Sequence, residues 1–301
     1  MSTRRVEVRY ELLEVTGRDV LGEGPWWDAA EQRLWWVDIK GRRVRNATLD
    51  GAEGTALDTG QDVGFAVPDD AGGLLAGLRD GLHRHTATAG WQRVWAGGWD
   101  TSDHRINDGK TDASGRLWFG TMHDPETAPT SALYRADDDG VPQQVLDGVV
   151  TSNGLGWSPD GRIFYYTDSL ARTIWAFDHD PADGTLSRRR VLATDPAGYV
   201  PDGLTVDVDG AVWAAKWDGS MLVRYRPDGT VDAELVLPVR RPTSAMFAGP
   251  DLSTLVVTSA GLDPADGELA GAVFLIPTAT SGLAQVRAHV PVPDGTTTPI
   301  G

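Results

Sequence analysis

The sequence predicts an all-β fold, a six-bladed β-propeller, and three observations carry that reading. First, one cassette recurs, a small polar turn followed by a short apolar strand, at residues 28–39, 68–78, 112–122, 158–169, 207–217 and 249–259. Second, the opening apolar residues of these copies, Leu34, Leu74, Leu117, Ile163, Val212 and Leu255, are 40, 43, 46, 49 and 43 residues apart. One four-stranded blade occupies about 40 to 50 residues. Third, the turns carry Asp-Gly pairs such as Asp160-Gly161, Asp183-Gly184 and Asp228-Gly229, where glycine accepts the positive φ of a tight hairpin. A β-sandwich also has many short strands, but it does not repeat a cassette at this period.

Each copy has the parts of a blade in order: a lead-in strand, a turn, the apolar strand, and a more polar strand such as residues 131–135, 173–177 and 221–226. The repeats leave no room for a second unit, so residues 1–301 read as a single propeller domain, with no linker or low-complexity tract. The strand-like segment 6–13 is expected to pair into the last blade beside residues 272–276.

Composition narrows the function. The longest apolar runs are strand-sized, which argues against a membrane span, and the N-terminus alternates without the apolar core of a signal peptide. Cytoplasmic residence is the expectation. Cysteine is absent, which removes disulfides and thiolate chemistry. A net charge of −16 repels nucleic acids and anionic membranes, and the one basic run, Arg188 to Arg190, reads as a solvated strand. There is no Gly-x-Ser-x-Gly elbow, no His-Glu-x-x-His, no phosphate-binding Gly-x-x-x-x-Gly-Lys and no dinucleotide fingerprint. His83 and His85 share a strand face but lack a third ligand, and they read as surface residues.

In a propeller the innermost strands line the central channel, and their first residues meet at one mouth. Counting five residues back from each turn gives Glu23, Val63, Asn107, Asn153, Asp202 and Ser244, with glycine following in four of the six copies (Gly24, Gly64, Gly154, Gly203). Carboxylates and amides therefore stand where a packed strand would place apolar side chains. Burying Glu23 and Asp202 around a narrow axis calls for a counter-charge. Carboxylates with an amide oxygen form a hard donor set suited to Ca²⁺, open also to Mg²⁺ or Mn²⁺, and able to hold Zn²⁺.

Four blocks in these same places, LGEGPWW (21–27), RINDGKTDASGRLWFGTM (105–122), SNGLGWSPDGRIFYYTDS (152–169) and PDGLTVDVDGAVWAA (201–215), resemble the SMP-30/gluconolactonase/regucalcin family of six-bladed propellers. The resemblance runs from about residue 10 to about residue 280. It implies one divalent metal ion, held by Glu23, Asn153 and Asp202, and substrate contacts from Arg105 and Asn107. Where some relatives place acidic residues after Gly-Thr-Met, this chain has His123-Asp124-Pro125-Glu126, and Lys216-Trp217-Asp218 also departs from the family pattern. His123 and Lys216 are thus two further candidates for substrate contact, and Trp99 or Trp217 for covering a sugar ring.

The activity so implied is hydrolysis of a sugar-acid lactone, with the ester carbonyl polarised by the ion and Asp202 as general base. Ca²⁺ leads as cofactor, with Zn²⁺, Mn²⁺, Mg²⁺ or Fe²⁺ as alternatives. Two other functions fit the same ring: hydrolysis of an organophosphate or other ester, and a non-catalytic calcium-binding propeller. Nucleic acid and membrane are not expected partners.

Overall fold

A computed structural model describes residues 4–137 and 139–291. It arranges them as six sheets of four antiparallel strands, one of which gains a fifth, parallel strand. The innermost strands, in chain order from blade 1 to blade 6, are Gly22–Asp28, Val63–Pro68, His104–Thr111, Ser152–Trp157, Val200–Val206 and Pro242–Ala248. Each touches the next, and the last touches the first, so the sheets close into a ring. The strands Leu74–Leu78, Leu117–His123, Ile163–Asp168 and Val212–Trp217 open on the apolar residues that set the period. Arg33–Asp38 and Thr254–Ser259 open one residue earlier.

The repeated turn has a physical cause. Asp112 Oδ1 accepts from the backbone of Ser114 at 2.9 Å and Arg116 at 3.1 Å, and its Oδ2 accepts from Trp118 Nε1 at 3.0 Å. Asp207 does the same for Asp209, Ala211 and Trp213, at 3.0, 2.9 and 2.8 Å. One carboxylate thereby closes the turn and fixes the indole of the next strand. The apolar residues gather into six clusters, one at each seam between neighbouring blades. Trp118, for instance, packs across the seam of blades 3 and 4 against Trp157 and Phe164, with ring centroids 5.9 and 5.1 Å away.

Closure differs from the expectation of one strand over residues 6–13. Glu11–Leu12 joins the last blade, pairing with Leu275 and Phe274, and Leu13 N donates to Val273 O at 2.9 Å, whereas Arg4–Glu7 runs parallel to Val231–Val236 of blade 5. Between them Val8 and Tyr10 pack on the seam of blades 5 and 6, Tyr10 edge-on to Phe274 at 5.3 Å, and this contact divides the segment. At the other end of the chain, residues 281–289 cross the end of the inner strands away from the predicted ring. They bond to Val208 of blade 5, Gly115 of blade 3 and Pro68 of blade 2, and Arg287 pairs with Asp28 of blade 1 at 2.6 Å. Among the described residues no helix is long and apolar enough to cross a membrane.

Candidate metal centre and its cavity

At the ring position every inner strand breaks register with its neighbour. The shifts fall between Glu23 and Trp26, Val63 and Phe65, Ile106 and Asp108, Asn153 and Leu155, Pro201 and Leu204, and Pro242 and Ala245. A bulge bends the strand and re-aims side chains beside it: Asn107, Asp202 and Ser244 lie unpaired inside the break, whereas Glu23, Val63 and Asn153 are the last paired residues before it. The glycines permit it. Gly154 sits at φ 24°, where a Cβ would lie 2.6 Å from the Asp202 carbonyl oxygen, and a Cβ on Gly64 would lie 2.5 Å from that of Asn107.

Four of the six ring positions, Glu23, Asn107, Asn153 and Asp202, line one cavity of about 510 Å³ together with Arg105. Val63 instead packs in the apolar seam of blades 1 and 2, and Ser244 closes on the bare face of Gly203.

The four polar ring residues are 5–8% exposed. Burial pushes the Glu23 carboxyl well above the usual range, and the charges of Asp202 and Asp108 push it further. Burial does the same to Asp202, aided by Asp108 and Glu126 and opposed by hydrogen bonds from the Gly203 backbone and Asn153. Below them Asp108 is raised to about 6 by burial, against the pull of Lys110, whose own value burial lowers to about 8. Glu23 Oε2 accepts from Gly24 N at 2.8 Å, and Asn153 Nδ2 donates to Ser169 Oγ at 3.0 Å. Asp202 Oδ1 is buried without any hydrogen-bond partner. An orphaned carboxylate oxygen among mutually repelling acids is the environment a hard cation relieves. Among the described residues no three His, Cys, Asp or Glu side chains form a metal cluster, so a centre here needs an amide oxygen beside Glu23 and Asp202. Asn153 lines the same cavity as those two carboxylates.

Arg105 is buried, and its Nε donates to Asp124 Oδ1 at 3.1 Å. Asp124 and Glu126 both line the cavity, Glu126 with a left-handed φ of 55° and its Oε1 accepting from Thr151 Oγ1 at 3.2 Å. Acidic residues after Gly-Thr-Met therefore do reach the cavity. Sequence reasoning passed over them for His123, which the structure places outside the cavity, its ring tilted against that of His104 with centroids 5.0 Å apart and its Nε2 3.7 Å from Asp103. Lys216 is likewise outside: it is fully buried, with Nζ on both oxygens of Asp195 at 2.9 and 2.7 Å. Strand alternation turns its neighbour Trp217 to the cavity instead, while Trp99 packs against Trp95 and Tyr134. His83 is not a surface residue either, because its Nε2 meets Asp80 at 2.7 Å under the outer strand of blade 2.

Comparison with known proteins agrees with this architecture. The chain is 36% identical over 281 residues to a pentonolactonase of Haloferax volcanii, covering 90% of this chain and 95% of that protein. It is 35% identical over 282 residues to an L-arabinolactonase of Azospirillum brasilense, covering 90% and 92%. The crystal structure of a calcium-binding regucalcin from Agrobacterium tumefaciens superposes with a TM-score of 0.87 at 26% identity, over 94% of this chain and 98% of that one. Residues 21–261, from just before Glu23 to the end of the blade 6 strand beyond Ser244, match the SMP-30/Gluconolactonase/LRE-like region, and the chain belongs to that family.

Proposed function

We propose that the protein hydrolyses a sugar-acid lactone in the cavity at the mouth of the propeller. The observation that carries this reading is the orphaned Oδ1 of Asp202, buried in one polar cavity with Glu23, Asn153, Asn107 and Arg105. Glu23, Asn153 and Asp202 would hold a divalent ion, Ca²⁺ before Zn²⁺, Mn²⁺, Mg²⁺ or Fe²⁺ for an all-oxygen set, and when bound it supplies Lewis acidity to the ester carbonyl. The relatives named pentonolactonase and L-arabinolactonase support the substrate class, and the calcium-binding regucalcin supports the ion.

The chain's own residues supply the rest. Asp202 takes a proton from the water that attacks the carbonyl carbon and returns it to the ring oxygen as the acyl C–O bond breaks, leaving a free hydroxyl and a carboxylic acid. Asn107 commits its amide nitrogen to Ser152 O at 2.8 Å and keeps its oxygen for a sugar hydroxyl. Arg105 offers the donors that Asp124 and the Ile106 carbonyl leave free. Trp217 provides an apolar face for the ring. The wall between them carries Thr151, Ser169, Glu126 and Asp218, and such hydrogen-bonding groups suit a polyhydroxylated ester better than an apolar phosphotriester.

The test is a lactone panel (glucono-, galactono-, xylono- and arabinonolactone) followed by acid release, with protein stripped of metal and reloaded with single cations. Turnover restored by one ion and lost in Asp202→Asn is the expected result. Full turnover by the stripped protein removes the ion from the reaction, and no turnover on any lactone with any ion overturns the reading.

A further inference from the structure

Two cationic side chains line the cavity, Lys40 and Arg105, and they come from different blades. Each is held by a carboxylate, Lys40 by Asp62 outside the cavity and Arg105 by Asp124 on its wall. Lys40 Nζ bonds Asp62 Oδ2 at 2.7 Å, and Arg105 Nε bonds Asp124 Oδ1 at 3.1 Å. Both carboxylates also meet one residue that does not line the cavity: Arg79 Nη2 lies 2.9 Å from Asp62 Oδ2 and 2.6 Å from Asp124 Oδ2, while Asp62 Oδ1 faces Arg42 Nε at 3.6 Å. The result is an unbroken alternation of charge across three blades, Lys40, Asp62, Arg79, Asp124, Arg105.

Arg79 is itself fixed. It follows the strand Leu74–Leu78, its Nη1 donates to the carbonyls of Thr101 at 3.2 Å and His104 at 3.4 Å, and its own carbonyl accepts from Trp99 Nε1 at 2.9 Å. Asp124 is less constrained, with a side chain 28% exposed on the connection after Leu117–His123. Without Arg79 it retains one side-chain partner, Arg105, and Arg105 retains as its other bond only the carbonyl of the next residue. A guanidinium can hold two carboxylates at once because its donors are fixed in a planar fork.

We infer that Arg79 is a positioning residue for substrate binding: through Asp62 and Asp124 it sets where Lys40 and Arg105 present their donors, without touching substrate. This inference rests on the proposed lactone site, and it adds a residue from blade 2, which contributes nothing to the metal ligands.

The experiment compares Arg79→Met and Arg79→Lys with the unaltered protein. In Arg79→Met, KM for the lactone that the protein turns over rises about tenfold, kcat stays within about twofold, and affinity for the restoring cation, measured by calorimetry, is unchanged. Arg79→Lys recovers part of the KM, since an ammonium reaches one carboxylate well but not both. A crystal structure of Arg79→Met then shows Asp124 released from Arg105. An unchanged KM in Arg79→Met overturns the inference, and so does a fall in kcat and cation affinity that matches a general loss of stability. Should the unaltered protein turn over no lactone, the functional reading fails by itself. The crystal structure still decides the role of Arg79, because Asp124 and Arg105 held in place without it would refute the positioning.

Discussion

Glu23 and Asp202 stand at the register breaks of the inner strands of blades 1 and 5, and after burial itself the charge of Asp202 is the largest influence on Glu23. Both carboxyls, and Asp108 behind them, bind protons more tightly in the folded protein than in an unfolded chain. For an acid with a raised folded value, the stabilising contribution is complete below the unfolded value, near 4, and is lost as pH rises through the folded one. The metal-free protein should therefore lose stability between about pH 4 and neutrality. Urea titrations across that range check this, and a binding cation should reverse the loss at neutral pH while releasing protons.

Replacing Glu23 by Gln removes one repelling charge from the same cluster. Cation affinity should fall by at least about tenfold, or about 1.4 kcal/mol, while the melting temperature of the metal-free protein holds or rises. Calorimetry with the restoring ion and a thermal melt read the two arms separately, and unchanged affinity would remove Glu23 from the donor set.

Asp202→Asn keeps the shape of the side chain but not its basicity. The expected loss in kcat is on the order of 10²-fold or more, the usual worth of a positioned base. A correctly folded, cation-loaded variant that keeps its turnover would assign the proton transfer to another group.

Gly154→Ala tests the backbone that carries Asn153 and meets Asp202. A methyl group there requires a left-handed φ of 24° and lies 2.5 Å from Thr167 Oγ1 as well as close to the Asp202 carbonyl. Strain of this kind costs about 1–3 kcal/mol, and it should reduce cation affinity in parallel with stability.

Lys216→Met separates structure from chemistry. It leaves Asp195 buried with Tyr225 as its remaining side-chain partner, at 3.1 Å. Breaking a buried pair from one side costs about 3–5 kcal/mol. Denaturant unfolding should show that loss, with KM unaffected in the folded fraction.

The propeller was legible because its determinants are local and repeated: the Oδ1 of a turn carboxylate such as Asp112 or Asp207 ties down the backbone two and four residues on. The convergence of Glu23, Asn107, Asn153 and Asp202 was legible for the same reason, since one bulge recurs in every blade. What escaped the sequence depends on side-chain direction or on connections without a period. His123 and Asp124 are adjacent, yet only Asp124 lines the cavity, on a connection that lies outside the repeated cassette. Strand alternation was the available signal for Trp217 over Lys216, and a single buried lysine gave no hint of Asp195, 21 positions away. The N-terminal segment divides between blades 5 and 6 over a seam on which Val8, Tyr10 and Leu12 pack, a tertiary contact with no period in the sequence.

The pairing of Glu11–Leu12 with Phe274 and Leu275 joins some of the earliest described residues to some of the last. A nascent chain emerging from the ribosome can therefore build blades one at a time but cannot seal the circle until residue 275 is free to meet residue 11. Because the pocket draws on blades 1, 3, 4, 5 and 6, its geometry should be gained and lost as a whole, making catalytic competence a late event in biosynthesis and an early casualty of any cut that lets the circle spring open.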